Sequence, residues 1–249
     1  MKYKIKHYNE PVSHDLMKNM SFGRLWAKPY YYKSIGNFIK IIRQTVCANR
    51  LVDVDMVNAH PNILLQICQE KDIECECLEE YVNNREKILK DIMKTYNVSR
   101  EDAKLLVIMI MYGGGVKAWC AKLDSKTYNK NKWSTPFLDA FQEEIHNIAK
   151  EFEECNDELK KQVEAKKPYG EYNCNVLLSY YLQEWEKRIL QECILHITKK
   201  YNPKHMVLCY DGFMMDSNLY KPEILKELNN LIYDRLGLNI EFSQKPFES

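Results

Sequence analysis

The segment 52–64, VDVDMVNAHPNIL, places the strongest constraint on what this chain can fold into. Its first half alternates apolar and acidic residues, which predicts a strand with valines on one face and Asp53 and Asp55 on the other. Pro61 then suits the first turn of a helix. A purely structural strand buries apolar side chains, whereas two carboxylates on one rigid face indicate a charged partner. Asp55, at the end of the strand, is therefore a candidate metal ligand.

The charge of the chain is unevenly distributed, although its net value at pH 7 is only +1. Residues 1–50 contain ten Lys and Arg against two acidic residues, a balance of +8, and the remaining residues have a balance of −7. Such a basic segment suits a polyanion partner, and a solvated basic surface is the alternative. The hydrophobic content of 45% indicates a globular chain.

Nine cysteines are scattered through apolar runs, and no CxxC pair occurs. The closest pair, Cys75 and Cys77, has no matching second half, so neither a zinc site nor a disulfide framework is expected. The sequence shows no signal peptide and no apolar run near the roughly 20 residues of a membrane span. We therefore expect a soluble, intracellular protein.

Hydrophobic periodicity predicts a helix-rich α+β chain. Strands are expected at 51–55, on both sides of Asp211-Gly212 and at 238–242, because Asp-Gly between β-rich runs is a hairpin signal. The expected architecture is a few antiparallel strands carrying a large helical insertion between residues 60 and 200. The predicted helices are 36–49, a helix from Pro61 onward, 78–112 with a break near Asn97, 137–166, 176–199 and 225–236.

The segment REDAKLLVIMIMYG, residues 100–113, combines cations and apolar groups on one helical face. Its residues Arg100, Lys104, Ile108 and Tyr112 are four apart, and because each step drifts only about 40° they share a sector of about 120°. Such a face can hold a triphosphate with its cations and a base and sugar with its apolar end. The alternative is an ordinary amphipathic helix with a solvated lysine.

Asp211, at the tip of the predicted hairpin, is the second candidate metal ligand. Two divalent metals about 4 Å apart activate a 3′-hydroxyl and stabilise a leaving pyrophosphate when carboxylates on adjacent strands hold them. We therefore expect the carboxylates of Asp55 and Asp211 to lie within a few ångströms of each other. An ordinary turn residue is the alternative for Asp211.

In this order, the motifs resemble those of family A DNA polymerases and their single-subunit RNA polymerase relatives, in a reduced form. VDVDMVNAHPNIL resembles motif A, REDAKLLVIMIMYGG the fingers helix, and VLCYDGFM motif C. SFGRLWAKP and IIRQTVCANRLVDVD resemble segments that contact template and primer. The NAHP variant is similar to the small polymerases of virophages, transpovirons and related large-DNA-virus elements, which are often joined to a primase or a superfamily 3 helicase.

The resemblance implies a role for each residue that matches a motif. Asp55 and Asp211 would bind Mg²⁺, or Mn²⁺, and Lys104 would protonate the leaving pyrophosphate. The implied partners are a DNA template and primer, nucleoside triphosphates and a superfamily 3 helicase, as fusion or partner, with no membrane. The implied nucleotide-binding residues are Arg100, Lys104, Ile108, Tyr112 and His60, and the implied nucleic-acid-binding residues are Arg24, Arg43 and Gln183.

The resemblance also implies a right-hand polymerase architecture without a thumb or an exonuclease domain. Residues 51–65 and 173–249 would form the palm, a small antiparallel sheet, residues 66–172 the helical fingers, and residues 1–50 a basic segment leading into the palm. The implied function is template-directed nucleotidyl transfer, by a DNA polymerase or a primase–polymerase that makes short products distributively. Its place would be the cytoplasm or a viral factory.

Three positions depart from the family pattern. Gly212 stands where motif C usually carries a third carboxylate, for which Asp53 and Asp216 are candidate replacements. His60 stands where the DNA polymerases carry a Glu that rejects a 2′-hydroxyl, and Ile108 where they carry Phe or Tyr. The choice between deoxy- and ribonucleotides is therefore open. An inactive nucleic-acid-binding module of a replication protein and a two-metal nuclease are the alternative functions.

Overall fold

The computed structural model describes residues 40–123, 134–166 and 172–247. Most of the basic segment 1–50, including Arg24, lies outside these residues. The described chain is helix-rich α+β with one four-stranded antiparallel sheet, which confirms the predicted α+β class and the small antiparallel sheet. The chain forms two compact units, of which unit 1 lies within residues 1–59 and 183–249 and unit 2 comprises His60–Leu182.

The elements follow the predicted order, with more interruptions among the helices. In chain order they are α1 (Lys40–Cys47), β1 (Leu51–Met56), α2 (Ala59–Glu70), α3 (Glu76–Asn83), α4 (Arg85–Tyr96), α5 (Arg100–Met111), α6 (Val116–Lys122), α7 (Pro136–Glu154), α8 (Asp157–Lys166), α9 (Cys174–Tyr201), β2 (Met206–Cys209), β3 (Gly212–Asp216), α10 (Glu223–Leu236) and β4 (Phe242–Lys245). Among the described residues, no helix is both long enough and apolar enough to cross a membrane.

The sheet of unit 1 has the strand order β2-β3-β1-β4, with β1 in a central position. In β1, Val54 is fully buried and pairs with Phe213 of β3, which is also fully buried. The opposite face of the sheet carries Asp53 and Asp55, because side chains alternate along a strand. The apolar part of that face packs in one cluster with α1, formed by Cys47, Leu51, Val207, Cys209 and Met214.

The last strand lies further along the chain than the predicted 238–242. It runs Phe242–Lys245 and pairs with β1, so that Asp53 is opposite Lys245. Leu238 and Ile240 are buried, 3% and 1% exposed, but they precede the strand. These two residues are buried in a connecting segment that precedes the strand. From the sequence, their alternating burial looks the same as that of a residue pair in a hydrogen-bonded strand.

Unit 2 is helical, and the start of α5 follows from its sequence. Ser99 accepts a hydrogen bond from the backbone N–H of Asp102, and the Asp102 carboxylate accepts one from the Ser99 N–H. This reciprocal capping satisfies two backbone donors that a helix start leaves without partners. Trp119 is fully buried against Tyr96, with ring centroids 5.1 Å apart. Trp119 therefore belongs to the core of unit 2.

Two predicted helices are broken where asparagines intervene. The predicted helix 78–112 breaks at Asn84 as well as at Asn97, which adopts a left-handed conformation with φ of 55°. The predicted helix 137–166 breaks after α7, where the Asn156 side chain donates to the carbonyl of Phe152 at 2.6 Å. At Asn156 the side chain competes with the backbone hydrogen bonds of the helix, whereas Asn84 makes no side-chain capping bond.

Candidate active site

Asp55 and Asp211 lie at the same end of two adjacent strands of unit 1. Asp55 is the fifth residue of β1 and pairs directly with Gly212, the residue that follows Asp211. The N–H of Met56 donates to the carbonyl of Asp211 at 3.1 Å. The antiparallel register therefore brings together two aspartates that are 156 positions apart in the sequence.

Gly212 leaves the space that the Asp55 side chain occupies. A Cβ atom on Gly212 would lie 1.8 Å from Oδ1 of Asp55 and 2.4 Å from the carbonyl oxygen of Val54. The hairpin turn accordingly comprises Tyr210 and Asp211, with Tyr210 at a φ of 48°, and β3 begins at Gly212. Because any larger residue would collide with Asp55, a third carboxylate does not fit at position 212.

The Asp55 carboxylate is buried, and among the described residues only one of its two oxygens has a partner. Asp55 is 4% exposed, and its Oδ2 forms an ion pair with the ammonium of Lys245. Its Oδ1 is buried and accepts no hydrogen bond from the described residues. A buried charged oxygen without a partner is costly, and hard divalent cations such as Mg²⁺ bind carboxylate oxygens. The residues present at this position therefore fit a divalent cation.

The two candidate replacements for the third carboxylate occupy different places. Asp53 is 5% exposed and lies on the same face of β1 as Asp55, two residues earlier. Asp216 is at the other end of β3, opposite Leu51 and roughly 13 Å along the strand from Gly212. Among the residues that the structure describes, no three His, Cys, Asp or Glu side chains converge on one metal position.

Asp216 holds the loop that enters β2. Its carboxylate accepts hydrogen bonds from the N–H groups of Lys204 and His205, at 2.6 and 3.0 Å, and from Nδ1 of His205 at 2.7 Å. Burial raises the pKa of Asp216, but the hydrogen bonds from His205 and Lys204 outweigh it, so the pKa lies below its ordinary value. These contacts explain Asp216 as a structural residue.

The predicted face of α5 exists in unit 2. Arg100, Lys104, Ile108 and Tyr112 are all partly exposed. The buried residues of the helix are Ala103, Leu106, Val107, Ile110 and Met111. The four side chains therefore form one accessible stripe, which we call the α5 stripe. Its order, from cations to an apolar group and a ring, is as the spacing predicts.

Both cations of the α5 stripe pair with nearby glutamates. Arg100 donates two hydrogen bonds to Glu86, at 2.5 and 3.2 Å, and Lys104 lies 3.0 Å from Glu101. The guanidinium of Arg100 holds the pKa of Glu86 below its usual range. Exposed pairs of this kind contribute about 0.2–1 kcal/mol each, so an incoming phosphate can displace the glutamates at small cost.

His60 and Tyr112 are joined by a direct hydrogen bond. The Tyr112 hydroxyl lies 2.5 Å from Nδ1 of His60, and the two rings meet edge to face with centroids 5.7 Å apart. His60 is only 4% exposed. The resemblance to family A polymerases implies that both residues bind the nucleotide, but it does not predict that they contact each other.

The glycine turn after α5 packs against the start of α9. Gly113 has a φ of +83°, and a Cβ atom there would lie 2.8 Å from Cβ of Asn175. A cavity of about 390 Å³ opens beside this turn, with Gln142 and His146 among its polar lining residues. The turn therefore needs glycine for close packing and for its backbone conformation, beyond ending the helix.

The predicted nucleic-acid-binding residues differ in their surroundings. Arg43 is half-buried on α1, and its buried Nε donates no hydrogen bond to any of the described residues. Burial raises the pKa of the Cys209 thiol to about 12, and the nearby charge of Arg43 acts against this rise. Arg43 is thus close to the strand that leads to Asp211. Gln183 is half-buried on α9.

Sequence reasoning missed two sets of charged residues in unit 1. Lys245, which pairs with Asp55, is the last residue of β4 and belongs to none of the sequence motifs. Glu186 and Lys187 are buried in α9, and Lys187 lies 2.5 Å from Glu184. The available signal was a pair of charges within an otherwise apolar helical stripe, which is too common to single out.

Comparison with known proteins gives one informative similarity. The chain is 30% identical over 250 residues to a protein of Sputnik virophage named "Putative helicase V13". The match covers 98% of this chain but 30% of the viral protein, so the chain spans about 30% of the length of that relative. No protein-family model matches the chain.

Proposed function

We propose that this chain carries out template-directed nucleotidyl transfer by a two-metal mechanism, as a reduced family A-like DNA polymerase or primase–polymerase. The observation that carries the proposal is the buried carboxylate of Asp55, whose Oδ1 accepts no hydrogen bond from the described residues, on the strand next to the hairpin turn that carries Asp211. Buried charges persist in proteins when they are paired or bind a metal. A nucleic-acid-binding module needs neither carboxylate at this position.

In this mechanism, Asp55 and Asp211 would hold two Mg²⁺ ions, for which Mn²⁺ could substitute. Ions held there would help the 3′-hydroxyl to lose its proton to solvent and bond to the α-phosphorus, and would neutralise charge as the bond to the leaving pyrophosphate breaks. Arg100 and Lys104 exchange their glutamate partners for the β- and γ-phosphates of the nucleotide. Lys104 then donates a proton to the leaving pyrophosphate.

The His60–Tyr112 pair acts on the sugar and the base of the incoming nucleotide. Tyr112 orients the imidazole of His60 through the hydrogen bond between them, and Tyr112 and Ile108 provide the surface for the base. An imidazole can donate to or accept from a 2′-hydroxyl, and it carries no fixed negative charge. We propose that this enzyme tolerates ribonucleotides, which suits synthesis of a primer.

The proposal assigns residues 51–65 and 173–249 to a polymerase palm and residues 66–172 to the fingers. Arg24, Arg43 and Gln183 contact the template and primer, and the basic segment 1–50 binds DNA phosphates. Phosphate contacts release counterions, so template binding should weaken steeply between low and moderate salt. A flat salt response would count against this role of the basic segment.

The similarity to the virophage protein supports a replication-associated role. That protein is named a helicase, and the matched region is a minor part of its length. A polymerase or primase unit joined to a superfamily 3 helicase would fit both observations. We therefore propose that the partner of this unit, as a fusion or as a separate protein, is such a helicase.

A primer-extension assay tests the proposed reaction. The protein is incubated with a labelled primed template, Mg²⁺ or Mn²⁺, and either dNTPs or NTPs, and an unprimed template tests primase activity. We expect extension by wild type and loss of at least 100-fold in Asp55→Asn and Asp211→Asn, since each removes a metal ligand. Asp234→Asn, an exposed aspartate on α10, is the matched control and should retain activity.

The alternative function is an inactive nucleic-acid-binding module of a replication protein. The observations that favour it are the glycine at position 212 and the lysine already paired with Asp55. This alternative predicts template binding without incorporation, and equal binding by wild type and Asp55→Asn. Degradation of the primer in the same assay would instead identify a two-metal nuclease.

A further inference from the structure

We propose that the ammonium of Lys245 is a built-in competitor for the metal at Asp55, and that it sets the concentration of divalent cation at which the site fills. This inference rests on the proposed function, because it concerns the same carboxylate. It goes further by assigning a regulatory role to a residue that none of the sequence motifs includes.

The register between β1 and β4 places Lys245 near the Asp55 carboxylate. Lys245 is the last residue of β4, an edge strand, and lies directly opposite Asp53 of β1. Asp55 is opposite Ser243, so the lysine reaches its carboxylate along the diagonal between the two strands. Diagonal neighbours in an antiparallel pair are within reach of long side chains. The small side chain of Ser243 leaves this diagonal path open.

The two ends of the ion pair differ in their freedom to move. The Asp55 side chain is 6% exposed, whereas the Lys245 side chain is 50% exposed. The carboxylate is held by β1 and by the contact with Gly212. The ammonium can therefore leave for solvent while Asp55 stays in place, which is what an exchangeable cation at this position requires.

The ion pair between Lys245 and Asp55 engages only one of the two carboxylate oxygens. A purely structural ion pair would not need to leave the second oxygen without a partner among the described residues. Lys245 satisfies Oδ2 of Asp55, and Oδ1 remains buried without a partner among the described residues. A doubly charged cation at Oδ2 would compensate the buried negative charge more fully than the singly charged ammonium does. Lys245 thus compensates the buried charge in part and leaves the carboxylate available to a better ligand.

A divalent cation bound to Oδ2 would lie within a few ångströms of the ammonium, and positive charges that close repel each other strongly in a buried site. Binding of the metal must then include displacement of Lys245. The apparent affinity of a site falls in proportion to the fraction of molecules in the competent state. If the ammonium occupies the carboxylate in about nine molecules of ten, its removal should raise the metal affinity about tenfold.

Titration with Mn²⁺, monitored by the loss of the free-ion EPR signal at constant pH and ionic strength, tests this inference on the full chain. The proteins compared are wild type, Lys245→Gln, Lys245→Arg, Asp55→Asn and Lys199→Gln. Lys199 is an exposed lysine at the end of α9 and serves as the matched control. We expect Lys245→Gln to bind Mn²⁺ about tenfold more tightly than wild type. Lys199→Gln should match wild type, and Lys245→Arg, which keeps a cation, should show little or no gain.

Equal or weaker binding by Lys245→Gln would overturn the inference, while loss of binding in Asp55→Asn would show that the metal site itself stands. If wild type, Lys245→Gln and Asp55→Asn all bind equally, the metal site of the proposed function is wrong and the inference falls with it. Circular dichroism checks the fold of each variant. A Lys245→Gln protein that folds only when Mn²⁺ is added also supports the inference, and one that Mn²⁺ does not rescue contradicts it.

Discussion

Replacement of Gly212 by alanine tests whether the Asp55 carboxylate lies where the structure places it. The new Cβ atom would be 1.8 Å from Oδ1 of Asp55, 2.8 Å from its Cγ and 2.4 Å from the carbonyl oxygen of Val54. Real Cβ atoms do not make contacts under 3.0 Å, so the side chain or the strand must shift. Overpacking in a tight core typically costs about 1–3 kcal/mol.

We expect the upper end of this range for Gly212→Ala, about 3 kcal/mol, because one of the colliding atoms is backbone in a central strand. The measurement is urea unfolding followed by circular dichroism. Gly237→Ala is the matched control, since Gly237 has a φ of +71° and a Cβ atom there meets nothing within 4 Å. This control should cost only the left-handed backbone strain, roughly 1–2 kcal/mol.

A double-mutant cycle with Asp55→Ala separates the side-chain collision from the backbone collision. Removing the carboxylate eliminates the contacts at 1.8 and 2.8 Å and leaves the one with Val54. Gly212→Ala should therefore cost at least about 1 kcal/mol less in the Asp55→Ala background, as expected for residues in direct contact. An additive cycle, or a Gly212→Ala cost no greater than that of Gly237→Ala, would refute the placement of Asp55.

Three further predictions concern other contacts. Burial raises the pKa of Glu227, but hydrogen bonds from Lys200, His196 and Tyr201 outweigh it and bring the pKa to about 2, so its stabilisation is complete above about pH 4.5 and is lost as the pH falls towards 2. Glu227→Gln should reduce by about 1 kcal/mol the difference between the free energies of unfolding at pH 7 and pH 3, measured with urea. An unchanged difference between the two pH values would contradict this role of Glu227. Lys104→Gln should raise the KM for nucleotides about tenfold, because it removes a phosphate contact. Lys94→Gln, on the exposed side of α4, is the control and should leave KM unchanged. Equal KM values for the two variants would exclude the phosphate contact. Tyr112→Phe leaves Nδ1 of His60 without this partner and should destabilise unit 2 by about 1–2 kcal/mol while changing the ratio of dNTP to NTP incorporation; an unaltered ratio would exclude the pair from sugar selection.

Several elements were predictable because their determinants are local in sequence. The capping of α5 by Ser99 and Asp102 depends on residues three apart, and the α5 stripe depends on helical geometry alone. Helix breaks at Asn84 and Asn156 were missed, because hydrophobic periodicity does not register where an asparagine ends a helix. The misplacement of β4 has a similar cause, since buried residues at 238 and 240 imitate the alternation of a strand.

The amino-acid sequence by itself determined the α+β class, the acidic strand end at Asp55 and the accessible stripe on α5. Only the tertiary structure decided what contacts the Asp55 carboxylate at the acidic strand end. Gly212 packs against its Oδ1, and Lys245 forms an ion pair with its Oδ2. The physical reason is strand register. A shift of one residue in β3 or β4 would turn these partners to the opposite face, and that register depends on packing between segments more than 150 residues apart in the chain.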